Sequence, residues 1–457
     1  MSSPADPANP PTSSAPTRQL SLFDSTSIIV GIIIGTGIYG TAPTVASSSP
    51  HAAGVLMYWV VGGILSLAGA LCYAELASAY PEEGADYVYL SRAFGPFAGY
   101  QFAWGQMVVG RPGTIAPMTL VFASYAERLL WPATASQQGT SNTQVALAVG
   151  ATVLLTALNI LGVRGGTWTQ NLLTVLKALG LLAILAVACV SPGPPAEAPA
   201  ATLGWNPNLA MILVLFTFGG WSEMAFVSAE VRNPEKNLTR ALVLGTTAVT
   251  LLYVLVNAAF LYALGHAGMA SSKEVAIDTV ETVFPGIAAR AIGALVCISA
   301  LGAANGLIFT GARIPYALGQ EHSAFRKLGT WSARFGTPVW ALLFQGALSI
   351  SVILIFREFL QTLFYTTAVI WSFYLATGIA LFVLRAKAPD QPRPYRVTGY
   401  PFTPIVFCAS CVFLIYSAIT FSPPWAEQAG LKGTAFGVLA LVAGWPFYWL
   451  SRRNAAK

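Results

Sequence analysis

Apolar runs of about 20 residues, each long enough to cross the hydrocarbon core of a bilayer, recur along the chain with short connections between them. Twelve can be drawn: 24–47, 53–78, 96–129, 143–162, 166–192, 205–230, 238–265, 286–316, 338–356, 360–385, 401–420 and 432–451. Charge agrees with this reading. Asp, Glu, Lys and Arg make up 9% of the 457 residues, against about 25% in a soluble domain, too few to cover a water-facing surface. In lipid, backbone polar groups must be satisfied within the chain, and runs of this length do so as helices. The expected fold class is an all-α membrane protein with twelve transmembrane helices.

An even number of spans puts both termini on one side. With the termini inside, 17 of the 24 Lys and Arg residues fall on cytoplasmic connections and 5 outside, while Arg111 and Lys177 lie within spans. That asymmetry follows the positive-inside rule and places a multi-pass protein in the cell inner (cytoplasmic) membrane. Residues 1–20, rich in Pro, Ser and Ala, read as a disordered tail and not as a signal peptide. Residues 80–95 read as a short amphipathic cytoplasmic helix along the membrane surface, and Glu75 and Asp86, near the cytoplasmic face, as anchors of this loop. Residues 270–284 read as an outer lid helix. Trp131, Trp205, Tyr400 and Trp425 sit at span ends as interface anchors.

Several function classes drop out. The five cysteines all lie in apolar runs and the three histidines are far apart, so neither a disulfide framework nor a metal site is expected. No cofactor is implied, and dispersed basic residues argue against a nucleic-acid partner. No nucleophile–base pair stands at membrane depth, so an enzyme is not expected. The phosphate-binding pattern of an ATP-driven pump is missing from the sequence.

Two spans carry glycines at mid-membrane: Gly31, Gly35, Gly37 and Gly40 in the first, Gly219 and Gly220 in the sixth. An opened helix strands N–H and C=O groups, which is tolerable only where they face protein or a ligand. Interrupted helices at matching positions of two inverted halves mark a transporter site. The N–H groups suit a carboxylate and the carbonyls an ammonium, and an α-amino acid carries both. The alternative is that these glycines serve close helix packing. Lys177, near the middle of the fifth span, must face the interior, since an unpaired ammonium there costs about 2.5–3.5 kcal/mol. Glu223 could pair with a cation, carry a proton or touch substrate. Arg111, followed by Pro112, is expected to cap carbonyls.

The sequence resembles the amino acid–polyamine–organocation superfamily, and within it the L-type amino acid transporters. Gly35-Thr36-Gly37-Ile38-Tyr39 is similar to the first-helix motif. Cys72-Tyr73-Ala74-Glu75-Leu76 with Gly84-Ala85-Asp86-Tyr87 resembles a second stretch, and Arg111-Pro112 the third helix. Gln170 and Lys177 resemble the fifth helix, and Phe218-Gly219-Gly220-Trp221 with Glu230 and Asn233-Pro234 the sixth. Arg393-Pro394-Tyr395-Arg396-Val397 with Gly399-Tyr400-Pro401 resembles a cytoplasmic run of the family.

The resemblance implies a LeuT-type fold: a tail at 1–20, inverted five-helix repeats at 21–193 and 194–386, two further helices within 387–451, and a cytoplasmic end at 452–457. It implies that Thr36 and Gly37 offer N–H groups to a substrate carboxylate, an approach that a side chain on Gly37 would block. Carbonyls of Ile33, Phe216 and Gly219 would accept from the ammonium, and the Phe216 ring would gate the outer side. Ser222, where the family often has Asn, belongs to the expected substrate set. Lys177 would stand in for the Na⁺ that bridges helices 1 and 8 in sodium-coupled relatives. The connection at 130–142 has no Cys, so no disulfide-linked heavy chain is expected and a bacterial protein is the natural reading. The expected function is Na⁺-independent transport of neutral L-amino acids by alternating access and exchange. Proton symport, cationic substrates and sensing without transport are the alternatives.

Overall fold

Ser21 opens the first helix, α1 (Leu22–Ile33). Its hydroxyl accepts from the Asp24 N–H, and the Asp24 carboxylate accepts from the Ser21 N–H at 2.9 Å. This reciprocal cap satisfies two donors that a helix start otherwise strands. The computed structural model describes residues 18–82, 84–131, 141–193, 204–272, 274–286, 288–357, 359–420 and 437–455. Most of the tail at 1–20, most of the 130–142 connection and Trp425 lie outside the described residues.

After α1 come two short helices, α2 (Gly37–Gly40) and α3 (Ala42–Ser47), then α4 (Ala52–Ala79), α5 (Asp86–Phe94) and α6 (Pro96–Gly105). A π-helical turn, Gln106–Gly110, leads into α7 (Arg111–Leu130). Then follow α8 (Asn142–Ile160), α9 (Val163–Cys189), α10 (Pro207–Thr217), α11 (Glu223–Phe226), α12 (Pro234–Ser271), α13 (Val275–Glu281) and α14 (Ala288–Gly311). The remainder is α15 (Arg313–Glu321), α16 (Val339–Phe356), α17 (Phe359–Lys387), α18 (Phe402–Thr420) and α19 (Gly444–Ala455). Among the described residues the fold is helical, with two isolated β-bridges, Leu20 to Val231 and Ser332 to Thr337. Among the described residues, eight helical stretches are long and apolar enough to cross a membrane, and three shorter apolar helices accompany them.

The faces of α9 show how the bundle orients its side chains. Leu172, Val175, Leu179 and Leu182 are exposed at helical spacing, whereas Gln170, Thr174, Lys177, Leu181 and Ile184 are buried on the opposite face. An apolar exposed stripe suits lipid, and the polar residues turn inward. Asn171 donates to Asp24 at 2.7 Å and Thr174 to the Ser27 carbonyl at 3.0 Å, fastening α9 along α1.

Two connections depart from expectation or sharpen it. Six of the nine residues of α5 are buried, so this helix packs into the protein instead of lying along its surface. The cause is Asp86, which accepts from the hydroxyls of Tyr73 on α4 and Thr377 on α17. Glu75 accepts two bonds from Arg385, at 2.8 and 2.5 Å, and one from the Val397 N–H at 2.6 Å. A single buried carboxylate thereby holds the Arg393–Pro401 run against the ends of α4 and α17. The expected lid segment at 270–284 contains α13.

Candidate substrate-binding site

The first helix breaks after Ile33. Ile34 leaves helical geometry with ψ 76°, and α2 restarts at Gly37. The carbonyls released at the end of α1 find donors. Gly31 and Ile34 accept from Lys177, Ile34 and Gly35 accept from the Ser299 hydroxyl at 3.0 and 3.1 Å, and Ile33 accepts from the Tyr253 hydroxyl at 2.7 Å. Ile33 also accepts from the Gly35 N–H at 2.7 Å. Two donors fill the lone pairs of one carbonyl. Ile33 lines the cavity, and its carbonyl already accepts these two bonds. The N–H groups of Thr36 and Gly37 stand between the Gly35 turn and the first bonds of α2, from Tyr39 and Gly40 to the Thr36 carbonyl at 3.2 Å.

The second break separates α10 from α11. Gly219 N–H turns back to the Phe216 carbonyl at 2.9 Å, and Glu223 N–H to the Gly220 carbonyl at 3.1 Å. Among the described residues no donor reaches the Gly219 carbonyl. Gly220 has φ 114°, a region that side chains disfavour. A Cβ there would also lie 2.5 Å from Ile32 Cγ2. Gly220→Ala is therefore expected to destabilise the protein by about 1–3 kcal/mol from backbone strain alone, with the collision added. Gly35→Ala, whose Cβ would meet Ala303 and Met118 at 3.6 Å, is the control. Thermal melting of both purified variants checks this; equal melting temperatures would count against it.

The two breaks touch. The Thr41 and Thr217 hydroxyls are 3.0 Å apart, and a Cβ on Gly37 would lie 2.8 Å from Thr217 Oγ1. A side chain at Gly37 would thus meet α10 first, and the glycine is needed for helix contact. Between the breaks lies a cavity of about 130 Å³. Ile33, Thr36, Gly37, Phe216, Gly219 and Glu223 of the expected set line it, together with Arg111, Met118, Ala303, Leu307, Ile370 and Trp371. Ser222 does not. It is fully buried, and its hydroxyl lies 3.0 Å from that of Tyr374, which does line the cavity. Ser222, the residue before α11, thus meets a wall residue through its hydroxyl.

At one part of this wall an ion pair is buried. Arg111 Nη1 donates to Glu223 Oε2 at 2.6 Å, with side-chain exposures of 3% and 7%. The Thr310 hydroxyl donates to the same oxygen at 2.5 Å, and the guanidinium lies 4.6 Å over the Phe226 ring. Arg111 was expected to cap carbonyls; its partner is Glu223 instead. The π turn explains its placement. Pro112 has no N–H and its ring would press on the carbonyl four residues back, so the helix widens just before it, a distortion common at functional sites.

Lys177 is fully buried. Its ammonium donates to the carbonyls of Gly31 at 2.5 Å, Ile34 at 2.7 Å and Ser299 at 3.2 Å. Three donors and three acceptors saturate it. Gly302 makes the room: a Cβ there would lie 2.8 Å from Lys177 Nζ. One charge thus clasps the end of α1 to α14 from α9.

Comparison with known proteins decides what this arrangement belongs to. The sequence profile of the family described as amino acid permease matches residues 20–443. The chain belongs to the amino acid permease family. It is 30% identical over 444 residues to the b(0,+)-type amino acid transporter 1 of Mus musculus, covering 95% of this chain and 88% of that one. It is 28% identical over 446 residues to the serine/threonine exchanger SteT of Bacillus subtilis, covering 96% and 98%. The large neutral amino acids transporter small subunit 2 of Mus musculus is 29% identical over 443 residues, covering 95% and 81%. These are amino acid transporters and not enzymes, and the chain is an L-type-like member of the amino acid–polyamine–organocation superfamily.

Several residues that hold the breaks and the cavity wall escaped the sequence reading: Tyr253, Ser299, Thr310 and Tyr374. A signal existed for two of them. Ser299 and Thr310 are polar residues in a mostly apolar span, where a hydroxyl is expected to find an acceptor. Tyr253 and Tyr374 carry no such mark, because tyrosines are frequent in these helices.

Proposed function

We propose that this permease carries neutral L-amino acids across the cytoplasmic membrane by Na⁺-independent exchange, through alternating access. The observation that carries the proposal is the Lys177 ammonium on the Gly31, Ile34 and Ser299 carbonyls. A fixed charge that already satisfies the opened first helix leaves no task there for a sodium ion. Thr36 and Gly37 would receive the substrate carboxylate, the Gly219 carbonyl its ammonium, and the Phe216 ring would close the outer side. Glu223 alone would argue for a cationic substrate, but its carboxylate is neutralised by Arg111, which favours a neutral one. The names of the relatives point the same way, to large neutral amino acids in one and to serine/threonine exchange in another.

The same reading assigns twelve spans, with inverted repeats at 21–193 and 194–386 and two further helices within 387–451. The family match and the paired breaks support it. Both termini would be cytoplasmic, as the distribution of Lys and Arg favours. No disulfide-linked partner is proposed, given the Cys-free connection at 130–142.

The test is uptake into proteoliposomes, with and without internal amino acid, each with and without an inward proton gradient. Internal amino acid is expected to stimulate uptake more than the gradient does. Replacing Na⁺ by K⁺ or choline is expected to leave it nearly unchanged. Strict Na⁺ dependence would overturn the role given to Lys177, a response to the proton gradient alone would make the protein a symporter, and binding without uptake would make it a sensor.

A further inference from the structure

The buried ion pair leaves one carboxylate oxygen unused. Arg111 and Thr310 both donate to Glu223 Oε2, and among the described residues no donor reaches Oε1. Glu223 is 5% exposed and lines the cavity, so the little it exposes is exposed there. Gln106, Thr366 and Tyr374 line the cavity too, while Ile32, Met118 and Leu307 make other parts of the wall apolar.

We propose that Glu223, set by Arg111, is the specificity-determining residue of the site and selects substrates whose uncharged side chain donates a hydrogen bond, a hydroxyl or an amide. This rests on the proposed transport of neutral amino acids and deepens it. The pair is neutral as a whole. A lysine side chain would bring its charge towards the Arg111 guanidinium, and an acidic one towards the Glu223 carboxylate. A hydroxyl or amide meets Oε1 at no such cost. An aliphatic side chain of the same shape covers Oε1 and strips it of water without replacing the bond. Sites built around a substrate hydroxyl or amide reject the analogue that lacks it for this reason.

Threonine and valine are near-isosteric, as are asparagine and leucine, so each pair isolates the hydrogen bond from size. Affinities are read from the ligand-induced rise in melting temperature of the purified full chain, titrated with each of the four. Threonine is expected to bind at least about tenfold more tightly than valine, and asparagine than leucine. In Arg111→Met combined with Glu223→Leu, both ratios are expected to fall to about threefold or less or to invert, since the acceptor is gone. A merely structural role for the pair would change all four affinities together and leave the ratios alone, which would overturn the proposal. Ratios near one in the parent protein would also overturn it, without any variant having to fold. If valine and leucine bind as well as their partners, the proposed function stands and the selectivity falls. If no common amino acid shifts the melting temperature, the proposed function fails and the selectivity with it.

Discussion

Lys177→Ala is expected to slow amino acid exchange by tenfold or more while weakening ligand binding by a smaller factor. Removing the ammonium takes a donor from the Gly31, Ile34 and Ser299 carbonyls; Ile34 keeps its bond from the Ser299 hydroxyl, and Ser299, inside α14, keeps its place in the helix ladder, so the Gly31 carbonyl at the end of α1 loses most. A hydrogen bond to a charged group contributes about 1.5–3 kcal/mol, so the end of α1 loses several kcal/mol of attachment to α9 and α14. The loss falls on the element that breaks beside the cavity, not on the cavity wall, because Lys177 does not line it. A change that biases the unliganded equilibrium between inward- and outward-facing states alters rate and apparent affinity unequally. Lys177→Met keeps most of the side-chain stem and drops the charge, so it separates packing from attachment. Initial rates in counter-loaded proteoliposomes, set against affinities from thermal shift, provide the comparison. Parent-like rates in both variants would remove Lys177 from the transport cycle; a slow alanine variant beside a normal methionine variant would reduce its role to filling space.

The difference between what the sequence revealed and what it hid follows from range. Helix positions are legible because membrane thickness sets the length of an apolar run, and the breaks are legible because glycine marks them locally. Lys177 is legible as an interior residue because a charge at that depth has few tolerable surroundings. Which groups meet is another matter. Arg111 and Glu223 are 112 residues apart, and nothing near either names the other. The one-residue difference between Ser222, which does not line the cavity, and Glu223, which does, depends on how α11 restarts after Gly220. The π turn before Arg111 follows from Pro112 only once α7 is known to continue through it. The burial of α5 follows from Asp86 meeting Tyr73 and Thr377, and Thr377 lies 291 residues away.

Arg111→Met alone is expected to destabilise the protein by about 3–5 kcal/mol, the typical cost of breaking a buried ion pair on one side. Glu223 would remain almost fully buried, with only the Thr310 hydroxyl to compensate its charge. Glu223→Leu alone is expected to cost a similar amount, since Arg111 would keep its place over Phe226 with no counter-charge. The combined variant is expected to recover most of the loss. Two charges taken from water are costly, and their replacement by apolar side chains of similar volume is often neutral or stabilising. The double-mutant cycle therefore predicts a large coupling energy, read from melting temperatures of parent, singles and double in one detergent. Additive losses in the double variant would mean that the two side chains act separately and that the pair is not a unit. Recovery of stability without recovery of the threonine-over-valine preference would divide the two consequences of the pair. Its charge balance would then be dispensable for folding, and the free carboxylate oxygen would be the part retained for the substrate.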